Sequence, residues 1–336
     1  MRITIKDIAR IVGVAHSTVT RALEDNPRIS TEMRERIKRV ALELGYVPNS
    51  NAQAMRTNKS RLVGFVVPNV EDNDLITIAQ EVADCCNQQG LQLVLALSQD
   101  DPERERAQLR ALVGAKVAGV VIVPTANPLP ESLALLRHQP VVQAIRRIDS
   151  IPGSRLCFND FDGIRIAVTH LLSLGHRHIA YLGSSPHLTT GQGRLAGYRR
   201  AYADFGLAPD NSLMFTTTPD AKEVDTLVAN LISERKPSAL VLGGSRITAH
   251  AVSALSKMGV DIPNDLSVVG FGDHAWHSWW GPGLTTIGLP VRELGKGVGL
   301  HLLERLNAGE HSTSHLTADQ LLDPFLIIRG STRPIA

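Results

Sequence analysis

Cysteine is scarce in this 336-residue chain: Cys85, Cys86 and Cys157 are an odd number with no metal-ligand spacing. That excludes a disulfide framework and fits buried thiols in a reducing cytoplasm. Long apolar runs are missing as well. Mean hydropathy is −0.01, and no stretch approaches the roughly 20 apolar residues that a bilayer demands, which argues against a membrane protein. No basic segment followed by an apolar one opens the chain, so no secretory signal is visible and a cytoplasmic location is expected. Aromatic residues make up only 4%, yet all three tryptophans crowd into "HAWHSWW".

A large charge of either sign is absent too, the net being +2. The near-balance conceals an asymmetry. Residues 1–60 hold eleven Lys and Arg against six Asp and Glu, a net of +5, and the remainder carries −3. A basic head on a mildly acidic body is an electrostatic footprint for nucleic acid, though many solvated helices are also basic.

The head has helical punctuation. In "TIKDIARIVGVAHSTVTRAL", Thr4 and Asp7 have the spacing of a capping box, and Ile5, Ile8, Ala9 and Val12 define one helical face. Gly13 supplies a stop, and Val14 plugs the space between two helices. The second helix turns Val19, Ala22 and Leu23 inward and leaves His16, Ser17, Thr18 and Arg21 pointing elsewhere. A third helix starts at Ser30, buries Ile37, Val40, Ala41 and Leu44, and stops at Gly45. Three short helices with a tight turn between the first two predict a helix-turn-helix, whose second helix enters the major groove. The competing expectation is a small helical bundle with a polar outer face.

That run, with "ISTEMRERIKRVALELGYVPN" after it, closely resembles the head of the LacI/GalR family of bacterial transcription regulators, and the resemblance extends over essentially the whole chain. It implies that His16 and Ser17 are the main base-reading pair. Thr18 and Arg21 would make further groove or phosphate contacts, and Thr4 and Arg28 would hold phosphates. Ala15 departs from the serine usual in the family at the start of the recognition helix, and a lost N-cap costs about 1 kcal/mol. By composition "YVPNSNAQAMRTNKSR" is a linker. The resemblance implies a hinge helix that folds on DNA, with Met55 as the apolar wedge in the minor groove and Asn51, Ala52 and Arg56 flanking it.

From Leu62 onward, buried-type strands alternate with amphipathic segments: "LVGFVVP", "LQLVLALS", "VAGVVIVP", "PVVQAI", "RLCFN", "HIAYLGS", "ALVLGG" and "LSVVGFG". This is the signature of parallel α/β architecture. The resemblance implies two Rossmann-like lobes similar to periplasmic sugar-binding proteins, with the chain crossing between them near residues 160 and 290.

Catalytic motifs do not survive inspection. "GQGRLAG" has its third glycine misplaced for a dinucleotide fingerprint and follows a loop. His176 and His178 beside a strand are a structural pair in most proteins. "GGS" and "GSS" are not nucleophile elbows, and Asp100 and Asp101 before a proline are ordinary helix-capping residues. No enzyme, cofactor or metal site is expected.

Ligand residues follow from the resemblance. Arg194 in "RLAGY" matches the family's effector-clamping arginine, and Asp273 in "GFGD" matches the carboxylate that accepts from sugar hydroxyls. The competing expectations are a surface salt bridge for Arg194 and a helix cap for Asp273. Elsewhere the chain departs from the family. Asp72, Asn73 and Asp74 stand where an aromatic pair is frequent, Ile145 followed by Arg146 and Arg147 where an aspartate is usual, and Gly244-Ser245-Arg246 where an Asn-Asp pair is usual. Trp276 or a neighbouring tryptophan would either replace the missing stacking surface or pack a lobe or dimer interface. Extra arginines where carboxylates are lost favour an anionic ligand, such as a sugar acid or sugar phosphate.

The expected organisation is a helix-turn-helix domain (1–46), a hinge (47–60) and an effector-binding and dimerisation domain (61–336). Lobe 1 would span about 61–160 and 291–320, and lobe 2 about 161–290 and 321–336. The expected protein is a homodimeric repressor. It would bind pseudo-palindromic operator DNA under the control of a carbohydrate-type effector bound between the lobes at Asp72, Asp74, Arg146, Arg194, Ser245, Arg246, Asp273 and Trp276. No leucine-heptad tail follows "FLIIRGSTRPIA", so a dimer is the natural expectation. A regulator responding to a nucleobase or nucleoside is the rival within the class, and a DNA-independent sugar-binding protein the rival outside it.

Overall fold

The computed structural model describes residues 3–46, 60–308 and 319–335. The chain divides into two compact units, residues 1–60 and 61–336.

In the first unit, helices α1 (Ile5–Val12), α2 (His16–Leu23) and α3 (Thr31–Glu43) enclose a core of Ile8, Ala9, Val12, Val19, Ala22, Ile37 and Ala41, with Val14 packed against it. Local chemistry sets each boundary. The Thr4 backbone N–H and hydroxyl both donate to the Asp7 carboxylate, at 3.0 and 2.7 Å, which opens α1 and holds that carboxyl below its ordinary range. Gly13 ends the helix with φ +78°, a conformation that costs a glycine nothing. Ser30 accepts from the Met33 N–H to start α3, and Lys38 reaches back to Asp25 at 2.6 Å to tie down the intervening loop.

The second unit contains two six-stranded sheets. The chain runs β1 (Leu62–Val67), α4 (Asn73–Gln88), β2 (Gln92–Leu97), α5 (Pro102–Gly114), β3 (Gly119–Ile122), α6 (Pro130–Leu136), β4 (Val141–Ala144) and β5 (Ser154–Phe158) through the first lobe. It continues through α7 (Asp160–Ser173), β6 (Ile179–Ser184), α8 (Thr189–Asp204), β7 (Met214–Thr217), α9 (Ala221–Asn230), β8 (Ala239–Gly243), α10 (Ser245–Lys257), β9 (Ser267–Phe271), α11 (Trp276–Trp279) and β10 (Thr285–Gly288) in the second. Helix α12 (Val291–Ala308) returns to the first lobe, and β11 (Asp319–Leu322) and β12 (Phe325–Ile327) finish one sheet each.

Strand order is β11-β5-β4-β3-β1-β2 in the first sheet and β12-β10-β9-β8-β6-β7 in the second. All pairings are parallel except β12 against β10. Every strand read from an apolar run is present. The polar or short β7, β10, β11 and β12 are additions that only the sheet context reveals. Helices cover both faces of each sheet: α4 and α12 against α5 and α6 in lobe 1, α7 and α8 against α9 and α10 in lobe 2. Buried on both faces, these strands read as near-continuous apolar runs.

Three segments cross between the lobes, after β5, after β10 and after β11. The third lies between Leu322 and Phe325, two residues beyond the 320/321 boundary expected from sequence, because β11 extends to Leu322 in the first sheet. Asn159 joins two of the crossings. Its side chain accepts from the Asp162 N–H to cap α7 and donates to Asp323 at 3.0 Å.

Candidate functional site

On the head, α2 buries Val19 and Ala22 and exposes His16, Ser17 and Arg21, with Thr18 half-buried. None of these four side chains holds the head together through a hydrogen bond among the described residues. Ala15 gives α2 no side-chain cap, so the first N–H groups of the helix stay available to an acceptor. Thr4 and Arg28 are also exposed. Thr4 is committed to Asp7, and the Arg28 N–H is committed to the Asn26 side chain at 3.0 Å. Asn51, Ala52, Met55 and Arg56 lie outside the described residues.

In the body, loops at the carboxyl ends of the parallel strands face each other across the two sheets, where open α/β proteins place ligands. Asp72 caps α4 by accepting from the Asp74 N–H. Burial raises the Asp72 carboxyl above its ordinary range, and the like charge of Asp74 adds to the shift. Two contacts join the lobes here. Ser245 donates to Asp74 at 2.8 Å, and Arg246 pairs with Glu71.

Arg194 is buried, 8% exposed, so it is not a surface ion pair. Its Nε donates to Asp160 at 2.6 Å, its Nη1 to the Gly243 carbonyl at 2.8 Å, and its guanidinium lies 4.0 Å from the centre of the Phe271 ring. Burial pushes the Asp160 carboxyl up, and the arginine opposes that push. The contact depends on close helix packing. A Cβ on Gly197 of α8 would lie 2.1 Å from the Phe161 carbonyl of α7, so glycine at 197 is required for this approach.

A cavity of about 120 Å³ opens beside this pair, lined from lobe 1 by Ile145, Arg147 and Cys157 and from lobe 2 by Asp160, Thr189 and Thr190. Burial pushes the Cys157 thiol up to about 12, so it stays protonated and inert.

Several of the expected effector residues have partners within the chain. Of the extra arginines expected to favour an anionic ligand, Arg146 pairs with Asp100 and Arg246 with Glu71, while Arg147 has no ion-pair partner among the described residues; the expected clamp Arg194 pairs with Asp160. Asp273 is neither a helix cap nor free, because Arg329 holds both its oxygens, at 2.8 and 3.1 Å. Trp276, half-buried, packs against the apolar core of lobe 2 and edge-on to His277, which agrees with the packing alternative. Sequence reasoning missed Asp160, Glu71, Thr190 and Arg329, whose partners are remote along the chain. His176 is structural, bonding to Ser238 and the Arg333 carbonyl. No group of side chains fit for a metal occurs among the described residues, and no described helix is long and apolar enough to cross a membrane.

Two family descriptions match the chain. Bacterial regulatory proteins of the lacI family match residues 4–49, and the periplasmic binding protein-like domain matches residues 168–332. The transcriptional regulator GalS of Salmonella typhimurium is 30% identical over 333 residues, covering 98% of this chain and 96% of GalS. This chain belongs to the LacI family. GalR of Escherichia coli is 28% identical over 86% of the chain and 84% of its own length. Among solved structures, the lac repressor dimer bound to operator and the anti-inducer ONPF superposes with a TM-score of 0.84 at 25% identity, over 99% of this chain and 100% of that one. A complex of the regulator CelR with cellobiose gives 0.72 at 25% identity, over 98% and 100%. The protein is therefore a DNA-binding transcriptional regulator with a ligand-binding body, and its architecture is that of the lac repressor.

Proposed function

We propose that the protein is a cytoplasmic, homodimeric repressor whose operator affinity is set by a small carbohydrate-type effector held between the lobes. The observation that carries the effector assignment is the polar wall of the cavity. Both lobes contribute to it, and Asp160, Thr189 and Thr190 offer hydrogen bonds suited to hydroxyl groups. The cellobiose bound by CelR is a carbohydrate, which supports the same class here.

His16 and Ser17 would read bases, Thr18 and Arg21 would add groove or phosphate contacts, and Thr4 and Arg28 would hold phosphates. Asn51, Ala52, Met55 and Arg56 would serve the operator centre. Paired heads on a two-fold axis suit a pseudo-palindrome. A dimer would cover the exposed apolar residues Ile76 of α4 and Val94 and Leu95 of edge strand β2. Asp72, Asp74 and Ser245 sit at the lobe junction, where the effector would shift the balance between open and closed arrangements by binding one of them better.

Phe161, partly exposed on the cavity wall, favours a second candidate, a nucleobase or nucleoside stacked on its ring. Fluorescence anisotropy on pseudo-palindromes upstream of the protein's own and neighbouring genes tests both, with His16→Ala and Met55→Ala as controls. Tight, salt-sensitive binding that survives competitor DNA is expected, with release by a sugar or sugar acid. Release by nucleobases alone would replace the carbohydrate assignment. Operator affinity indifferent to all these compounds would sink both.

A further inference from the structure

Consecutive arginines leave β4 in opposite directions. Ile145 has φ +66°, a left-handed conformation rare for a β-branched residue, and the Arg146 N–H donates across it to the Ala144 carbonyl at 2.7 Å. This tight turn sends Arg146 back to Asp100 and the Pro124 carbonyl, while Arg147 goes to the wall of the 120 Å³ cavity. Arg146, Arg194 and Arg246 are each matched by a carboxylate. Arg147 is exposed; its backbone N–H donates to Thr189 Oγ1 of lobe 2 at 3.4 Å, and its guanidinium has no hydrogen-bond or ion-pair partner among the described residues. Asp160, the carboxylate that lines the cavity, is already matched by Arg194. The pair adds no net negative charge, and Arg147 leaves the cavity positive.

The opposite wall is the first turn of α8. Its N-cap residue, Leu188, supplies no side-chain acceptor, so the positive end of a 16-residue helix opens toward the cavity. Thr190, in that turn, is only 5% exposed, and its hydroxyl has no hydrogen-bond partner among the described residues. The hydroxyl faces the cavity without being sealed from solvent. A ligand oxygen in the cavity would satisfy it.

We propose that this cavity receives the anionic end of the effector, a carboxylate or phosphate on a hydroxylated carbon chain. Arg147 from lobe 1 clamps the group against Thr190 and the first turn of α8 from lobe 2. The guanidinium fork matches two oxygens of either group, which a lysine does not. The volume suits a headgroup: cavities of about 150 Å³ hold a benzene ring, so this one accepts the acidic end while the remainder of the molecule lies between the lobes. Because its two walls belong to different lobes, the anion favours the closed arrangement. Arg147 thereby becomes the residue that selects acidic over neutral effectors. The proposal rests on the assignment of the body as a binder of a small effector between its lobes.

The test uses the full chain. All three tryptophans lie in the body, so tryptophan fluorescence follows the thermal unfolding of that unit alone. The probes are inorganic phosphate, gluconate, glucose 6-phosphate and glucose, each against sodium chloride at matched ionic strength. Phosphate is expected to raise the wild-type midpoint beyond the chloride control, since binding to the native state stabilises it. Arg147→Gln should weaken apparent phosphate affinity at least tenfold, Arg147→Lys should restore part of it, and Thr190→Val should lower it to a smaller extent. Gluconate against glucose 6-phosphate separates a carboxylate site from a phosphate site. Non-specific salt effects act equally on wild type and variant. Equal phosphate shifts in wild type and Arg147→Gln, or no wild-type shift beyond chloride, overturn the anion site. Glucose raising both midpoints alike, with phosphate silent, also overturns it and leaves a neutral effector standing. Operator release is scored separately, so failure of the effector assignment is distinguishable from failure of the anion site.

Discussion

Ser245 of the second lobe donates its hydroxyl to Asp74 of the first at 2.8 Å, beside the pairing of Arg246 with Glu71. The two contacts differ in worth. Glu71 is 69% exposed, and exposed ion pairs contribute about 0–1 kcal/mol. The Ser245–Asp74 bond is partly buried and charge-assisted, a class worth about 1.5–3 kcal/mol.

The hydroxyl should therefore dominate the closure of the lobes. Ser245→Ala is expected to increase the radius of gyration measured by X-ray scattering on the ligand-free protein, and Glu71→Gln to leave it nearly unchanged. Gly272→Ala should act like Ser245→Ala. Its φ is +77°, and an added Cβ would lie 2.6 Å from the Ser245 Oγ and 3.3 Å from Asp74 Oδ2. Equal effects from Ser245→Ala and Glu71→Gln would contradict this ranking.

The Arg194–Asp160 pair holds the floor of lobe 2 beside the cavity. Both side chains are 9% exposed. Removing one partner of a buried pair costs about 3–5 kcal/mol, because the other charge is stranded. Arg194→Ala should lower the urea midpoint of the body accordingly, read by tryptophan fluorescence. Asp160→Asn should cost less, since the amide oxygen still accepts from Nε. A midpoint for Arg194→Ala within error of wild type would mean that solvent reaches the pair.

Local features of the fold were legible in the sequence. The Thr4/Asp7 pair, Gly13 and Ser30 mark helix boundaries through contacts within four residues, and a strand buried on both faces declares itself by its apolar run. β7, β11 and β12 are edge strands, half-exposed and short, so their composition carries little signal. The cleft was harder to read. Arg194 was identified from its surroundings in "RLAGY", but its partner Asp160 lies 34 residues away, and Glu71 and Arg246 are brought together only by the closing of two lobes. The divergent paths of Arg146 and Arg147 follow from a left-handed turn at Ile145, a residue whose type predicts the opposite.

Acid should weaken the body through His277. This side chain is fully buried; burial and the neighbouring His274 bring it down to about 4 from 6.5. Its Nδ1 accepts the His274 N–H at 3.0 Å, and the Asp273 carboxylate 3.5 Å away opposes the burial only in part. The unfolded chain binds the proton more readily than the folded one. Stability is thus fully present above pH 6.5 and is lost as pH falls through about 4, by at most about 3 kcal/mol. Asp72, Asp160 and Glu105, all raised by burial, titrate with the opposite sign. The difference between wild type and His277→Gln isolates the effect. Urea midpoints at pH 7 and pH 4.5 should fall less in the variant, and parallel falls would show that His277 is not responsible.

Ala15 offers the opposite kind of test, a gain. It stands at the N-cap of α2 with φ −66° and ψ 147°, an extended geometry a serine adopts without strain, and it supplies no oxygen to the N–H groups that follow. Ser or Thr at an N-cap is worth about 0.5–2 kcal/mol over alanine. Ala15→Ser should raise the thermal midpoint of the head, followed by far-UV circular dichroism on the full chain, without moving the tryptophan signal of the body. Its effect on DNA separates two roles for the bare helix end. If α2 is ordered in free protein, the new hydroxyl leaves operator affinity close to wild type. If the uncapped N–H groups are reserved for a phosphate, the serine competes for them, and operator affinity falls while the head becomes more stable.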